Sequence, residues 1–357
     1  MSVKISVIAA VASLEMVDMS IMRLAFPASY QHDSQKVEFD VFDGGSEIAL
    51  KGNFAKQSNI VDKDGFKTVT VNPMQVNESI TDAGINVNKK RIGENVYGQA
   101  DGISAAVQSQ IENEATGFGK LKMRAQRLLK KSMYDVLVTG KLVVSANGAV
   151  SDELDFGLTD KKVNSAAEDW NQTTSDPIKQ LEAASVAKGQ FSVNTYVLGS
   201  EAHQAFLSNS KVLTADNTST GKKQNFFIPT PAEREAKSTD TFIFVGTTSG
   251  ANGKAVEIYV ELDEFNDGTN DVKYMDKNYA VGFKRENDVN AQIQYGNIPI
   301  ATGEGSDAVL ETFVGVEWID GVIKSDPVGV KRFYKSSPLP TMNQPKAFNS
   351  IKATLVA

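Results

Sequence analysis

The sequence contains no cysteine and only two histidines, His32 and His203. Disulfide frameworks, thiolate metal sites and cysteine nucleophiles are therefore excluded. Two histidines cannot furnish a histidine-rich zinc site, so any metal would have to lean on carboxylates. Tryptophan is also sparse, and Trp170 and Trp318 read as packing residues. Basic residues are outnumbered, 37 against 44 acidic, and the formal net charge of −7 opposes wholesale nucleic-acid binding. No apolar run approaches the length needed to span a bilayer.

The usual catalytic signatures are missing as well. There is no G-x-x-x-x-G-K-[ST] phosphate loop, no G-x-G-x-x-G after a strand, no G-x-S-x-G elbow and no H-E-x-x-H. Glu112 and Glu114 lie two apart and point to different sides of a helix, so they do not pair as acids. Asp263, Glu264, Asp267 and Asp271 around Gly268 have the wrong spacing for a calcium loop and read as a solvated acidic turn. His203 reads as a half-buried structural residue and His32 as an exposed one. No cofactor or metal is implied, and an enzyme is the least supported class.

What is present is an ordinary folded chain of 357 residues, 41% hydrophobic and 23% charged, long enough for two or three packed modules. Ala10-Val11-Ala12 imitates a signal-peptide cleavage site. Its basic region is only Lys4 and acidic residues follow at Glu15 and Asp18, so Val3–Ala12 reads as a helical or extended arm, with a secretory signal as the weaker alternative. Leu14, Val17, Ile21 and Leu24 follow at a helical spacing, stopped by Pro27. From Lys36 the period changes to two. Val37, Phe39 and Val41 alternate with Glu38 and Asp40, and turns fall at Asp43-Gly44 and Asp64-Gly65. Residues 36–72 thus read as an extended hairpin with a polar surface and little core of its own.

A long helix is expected over about 103–139. Leu121, Ala125, Leu128, Leu129, Ser132, Met133, Val136 and Leu137 form its apolar stripe, Gly117 and Gly119 predict a kink or break, and Gly140 predicts its end. A hairpin follows around Asn147-Gly148. Asp176-Pro177 opens a helix predicted to run through Val186 to Gly189, and Ser200 is expected to cap another. Strands are predicted at 193–198, 242–245, 255–262, 278–283 and 315–319. From Lys331 the chain reads as an extended tail held out of helix by Pro338, Pro340 and Pro345. The class is α+β, with helices and strands in separate blocks.

Six basic residues, Lys120, Lys122, Arg124, Arg127, Lys130 and Lys131, fall within 120–131 with no acidic residue among them. A solvated helix face is one reading. The other is that Lys120, Arg124, Arg127 and Lys131 look at DNA phosphates, which need only such point charges.

The order of these blocks resembles a phage major capsid protein with the Hong Kong 97-type fold, in particular the lambda-type capsid protein E family. The residues that carry the resemblance run in order along nearly the whole chain: 21–27 followed by Lys36-Val37; Val71-Asn72-Pro73; Gly140-Lys141 with the hairpin ending at 150–157; Trp170 followed by Asp176-Pro177; 196–199, 202–206 and 209–212; and 335–340 with a final apolar strand at 350–356. The stretch between Lys51 and Thr68 is short for the lambda-type extended loop. The resemblance implies an N-terminal arm at 1–35, an extended loop at 36–72 and a peripheral domain at 73–175 with the long helix as its spine. It further implies an axial domain at 176–300 and a C-terminal segment, 301–357, returning to the core. It implies a structural subunit of the virion that self-assembles into hexamers and pentamers of an icosahedral shell in the bacterial cytoplasm. Portal, scaffolding and decoration proteins would be its partners, with non-specific contact to packaged DNA. Lys51, Phe54, Ile60, Val61 and Phe66 would touch the neighbouring subunit. An encapsulin-like compartment or a phage tail component remains the alternative, because fold alone does not separate them.

Overall fold

The computed structural model describes residues 17–42, 66–83, 105–146, 149–186, 192–213, 226–249, 253–285, 290–302, 309–325 and 328–355. Two elements organise them. One is a helix of 35 residues, Ala105–Thr139. The other is a seven-stranded mixed sheet in the order Lys161–Val163, Phe348–Lys352, Tyr279–Phe283, Thr195–Leu198, Ala255–Glu261, Phe242–Ser249 and Phe226–Phe227.

The sheet is covered on both faces, which is why its central strand Thr195–Leu198 is buried throughout. Successive residues serve opposite sides. Tyr196, Leu198, Ile258, Val260 and Ala280 join a core built on Trp170, Ile178, Leu181, Ala202 and Phe206, carried by the helices Pro177–Ala184 and Ser200–Ser208 and the chain before them. Val197, Tyr259, Val281 and Phe283 join the larger core, which holds Leu129, Met133, Val136 and Leu137 of the long helix. A third, smaller cluster seals Leu121 and Ala125 of the helix against Val76 and Tyr334. Tyr334 belongs to a three-stranded sheet ordered Trp318–Ser325, Val328–Ser336, Val76–Ala83.

The long helix differs from expectation at its glycines: it is continuous through Gly117 and Gly119. A side chain at Gly117 would lie 3.3 Å from Cδ of Arg332, whose guanidinium sits 5.9 Å from the Phe118 ring. The glycine makes room for a packed arginine rather than breaking the helix. Leu128 also departs from the stripe and is exposed, whereas Tyr134 is fully buried. Gly140 does end the helix, at φ +68°.

Other departures have local causes. The helix Pro177–Ala184 is capped by the Asp176 carboxylate, which accepts from the Lys179 amide at 3.2 Å. It stops short of the expected Gly189, and Val186 instead forms a bridge with Ser192. Gly199, not Ser200, is the N-cap of the next helix. A side chain at Gly199 would stand 2.2 Å from the carbonyl oxygen of Asp276. The strand expected at 315–319 is instead Trp318–Ser325. His32 is half-buried, bound through Nε2 to Oε1 of Gln294 at 2.8 Å, and not exposed as expected. The acidic turn is a small hairpin, Glu264–Asn266 with Asp271–Lys273. There the Asp267 carboxylate accepts the amides of Thr269 and Asn270.

The tail is extended, as its prolines predict, and it is packed into the molecule. Pro338–Met342 is buried at every residue and pairs antiparallel with Ala291–Tyr295. It is the edge strand of a three-stranded sheet completed by Ala28–Gln31. Pro338 and Pro340 are two apart, so their missing N–H groups fall on the same side of the strand, where an edge tolerates them.

Candidate assembly surfaces

At 3.6 residues per turn, Lys120, Arg124, Arg127 and Lys131 fall within ~60° of one face of the long helix. Lys120, Arg124 and Arg127 are exposed and Lys131 is half-buried. Three of the four already have partners within the chain: Arg124 with Glu78 at 3.4 Å, Lys131 with Asp135 at 2.6 Å, and Arg127 with the Tyr274 side chain. Lys122 lies outside that arc and pairs with Glu317 at 2.8 Å.

Lys130 does not belong to the exposed group at all. Its side chain is 1% exposed, with Nζ 3.2 Å from Glu261 and 2.8 Å from Asp263. The same ammonium lies 4.7 Å from the centre of the Tyr274 ring. Tyr134, one turn further along, donates its hydroxyl to Glu261 at 2.6 Å. The other Glu261 oxygen accepts the Asp263 amide at 3.0 Å. Burial pushes the Glu261 carboxyl up, against the pull of the Lys130 charge and the Tyr134 hydrogen bond. Burial, reinforced by Glu261, holds the Tyr134 hydroxyl well above its ordinary range. This ionic hub joins the long helix to the strand Ala255–Glu261 with almost every polar valence used. Sequence reading missed it because Lys130 is one basic residue among six, while Glu261 lies more than a hundred residues away.

Asp18 is tied down beside the hub. The Asp18 carboxylate accepts from the Ser20 amide at 2.9 Å and its hydroxyl at 2.7 Å, and from the hydroxyls of Thr239 and Thr241. Burial works to raise the Asp18 carboxyl, but the Thr239 and Ser20 hydrogen bonds outweigh it and hold it below its ordinary value of 3.8. A depressed carboxylate contributes stability that is complete above its unfolded value and is lost as pH falls through the native one. Asp18→Asn is therefore expected to lower stability by about 1 kcal/mol near neutrality, with the gap to wild type closing below about pH 4. Urea unfolding across pH 2–7 measures it, and a gap independent of pH would contradict this account.

The paired strands Val37–Phe42 and Phe66–Val71 form the base of the hairpin, in register from Val37 opposite Val71 to Phe42 opposite Phe66. Contrary to the expectation of little core, Val37 and Phe39 are buried in the larger core, Phe39 with its ring 6.0 Å from that of Phe156. Phe66 is the first residue of its strand. Lys51, Phe54, Ile60 and Val61 lie outside the described residues.

Among the described residues nothing at these surfaces resembles a reaction centre. Among the described residues no group of three potential metal-binding His, Cys, Asp or Glu side chains occurs, and no helix is long and apolar enough to cross a membrane. A cleft of about 510 Å³ lies near Asp160, Lys162, Glu168, Asp176 and Lys179. Four of these charges pair with each other, Lys162 with Glu168 at 2.8 Å and Lys179 with Asp176 at 3.6 Å. The hydrogen bond from Lys162 leads the contacts that lower the Glu168 carboxyl to about 2.

Comparison with protein families places residues 5–353 on the model described as phage major capsid protein E. The chain belongs to that family. It is a phage major capsid protein, a structural virion component and not an enzyme, and it self-associates in the capsid shell. Comparison with curated protein sequences returns no match. Among solved structures, a prophage protein of E. coli CFT073, assigned as a capsid protein, superposes with a TM-score of 0.61 at 13% identity, covering 97% of each chain. A phage-related protein from Bordetella bronchiseptica RB50 superposes with a TM-score of 0.53 at 10% identity, covering 99% of this chain and 98% of that one. At such identities the likeness speaks for the fold, and the fold is the Hong Kong 97-type capsid fold expected from the resemblance.

Proposed function

We propose that this capsid subunit divides its work among the segments anticipated from sequence. Residues 1–35 serve as a tying arm, 36–72 as a loop lying over the neighbouring subunit, 73–175 as a peripheral domain with the long helix as spine, 176–300 as an axial domain at the capsomer centre, and 301–357 as the returning segment. Lys51, Phe54, Ile60, Val61 and Phe66 are the loop residues that meet the neighbour. The observation that carries this reading is the anchored hairpin base. Val37 and Phe39 fix one strand in the core while Glu38, Lys67, Thr68 and Thr70 face solvent. A fixed base gives the intervening residues a defined starting direction, and their backbone groups gain partners from another chain. Obligate contacts of this kind bury on the order of 2,000–5,000 Å² per interface.

The basic face of Lys120, Arg124, Arg127 and Lys131 looks at the lumen and meets packaged DNA without reading its sequence. The exposure of Lys120, Arg124 and Arg127 supports this, and a shell in which the four lie on the outer surface would overturn it. Assembly takes place in the bacterial cytoplasm, with portal and scaffolding proteins as partners and a decoration protein as an optional one.

Deletion of 52–65, which spares the paired strands, tests the loop. The expected product is a subunit with wild-type circular dichroism and thermal melting that yields no closed particles by electron microscopy. Normal particles from the deletion would refute the role given to the loop.

A further inference from the structure

Among the described residues most exposed apolar side chains stand singly or in pairs, but one short stretch collects four of them. Val309, Leu310, Val314 and Val316 are 57%, 85%, 45% and 38% exposed. Val309 and Leu310 open the strand Val309–Phe313, whose first four residues are all exposed. Among the described residues this strand has a single neighbour, Ile298–Thr302, in a two-stranded ribbon. Exposed apolar residues along an unpaired strand are a hazard for a monomer and a template for another chain.

The register shows which backbone groups remain available. Pro299 stands opposite Thr312, and Ala301 opposite Leu310. Pro299 has no N–H, and its carbonyl accepts the Lys335 ammonium at 2.9 Å, pointing away from the ribbon. Pro299–Thr312 is therefore a non-hydrogen-bonded pair of the antiparallel ladder, and so, two residues along, is Ala301–Leu310. The N–H and C=O groups of Leu310 and Thr312 consequently face the open edge, while Val309, Glu311 and Phe313 bond inward. Two donors and two acceptors are aligned there at the spacing a further strand requires. One face of the ribbon is committed to the molecule, since Ile298 and Ile300 are buried. Leu310 is on the opposite face.

We propose that the Val309–Phe313 edge is an assembly interface, at which a strand from a second copy of this chain adds to the ribbon and covers Leu310. The occupant follows from the family: a head shell is built from copies of the capsid chain, so a neighbouring copy is the partner such an edge meets. The inference thus rests on self-association and assigns it to a particular edge.

Two substitutions separate the apolar and backbone contributions. Leu310→Asp places a charge on the covered face. Thr312→Pro removes one edge-facing N–H and leaves the inward ladder intact, because the Thr312 N–H does not point to Ile298–Thr302. Each variant is measured beside the wild-type chain by thermal melting, sedimentation and electron microscopy, and wild-type particles are compared with dissociated subunits by amide hydrogen exchange. The expected result is wild-type melting of both variant subunits, at least tenfold fewer particles, and slowed exchange of the Leu310 and Thr312 amides only in wild-type particles. Variants that assemble as well as wild type, with those amides equally fast in particle and subunit, would overturn the edge assignment while leaving self-assembly standing. A wild-type chain that forms no particles would overturn self-assembly and this inference together.

Discussion

Replacing Lys130 with methionine is expected to cost the subunit about 3–5 kcal/mol, the range for removing one partner of a buried ion pair. The cause is what remains behind. Glu261 is as buried as Lys130, at 1% exposure, and its carboxylate would keep only the Tyr134 hydroxyl and the Asp263 amide. Asp263 is 23% exposed and recovers water more easily. Most of the loss therefore belongs to Glu261, and the double substitution Lys130→Met with Glu261→Gln is expected to recover a large part of it, since a neutral amide is far cheaper to bury than a lone charge. Chemical denaturation of the two variants decides this. A double variant no more stable than Lys130→Met alone would show that the cost lies in packing around the Tyr274 ring.

Gly140→Ala is expected to destabilise by about 2–5 kcal/mol, from two independent sources. A left-handed backbone at φ +68° costs a residue with a side chain roughly 1–2 kcal/mol. The added methyl would then fall 2.3 Å from Cβ of Leu158, and such overpacking typically costs about 1–3 kcal/mol. Gly157, at φ +76° with nothing within 4 Å of an added methyl, is the internal control. Gly157→Ala carries only the backbone part and is expected to cost less than half as much. Equal melting temperatures for the two variants would contradict the steric contribution at Gly140.

These residues also show what the sequence made legible. Gly140 could be read as a helix stop because the need for a left-handed residue is local. The role of Leu158 could not, since it is set by how the chain folds back. The apolar stripe of the long helix was readable from its period, apart from Leu128. Gly117 was misread because the residue that exploits its missing side chain, Arg332, lies far away in sequence. The extension of the tail was readable but its burial was not: prolines mark a segment that cannot be helical, and they do not say whether it lies on the surface or becomes a sheet edge. The basic residues at 120–131 were visible as a cluster. Only the geometry separates the arc of Lys120, Arg124, Arg127 and Lys131 from Lys130, which has left solvent for Glu261. The family was legible from block order, whereas the open edge at Val309–Phe313 was not, because that strand carried no signal beyond two adjacent apolar residues.

The place of Phe348–Lys352 in the central sheet bears on when a subunit becomes usable. This strand lies between Lys161–Val163 and Tyr279–Phe283, so its two neighbours come from residues made much earlier. A ribosome adding roughly 5–20 residues per second would finish the rest of the sheet seconds before this strand emerges. Until then the Tyr279–Phe283 edge is bare and Lys161–Val163 has nothing to pair with. Pairings this distant in sequence also close slowly. The central sheet thus cannot close before residues 348–352 have emerged, however early its other strands are made.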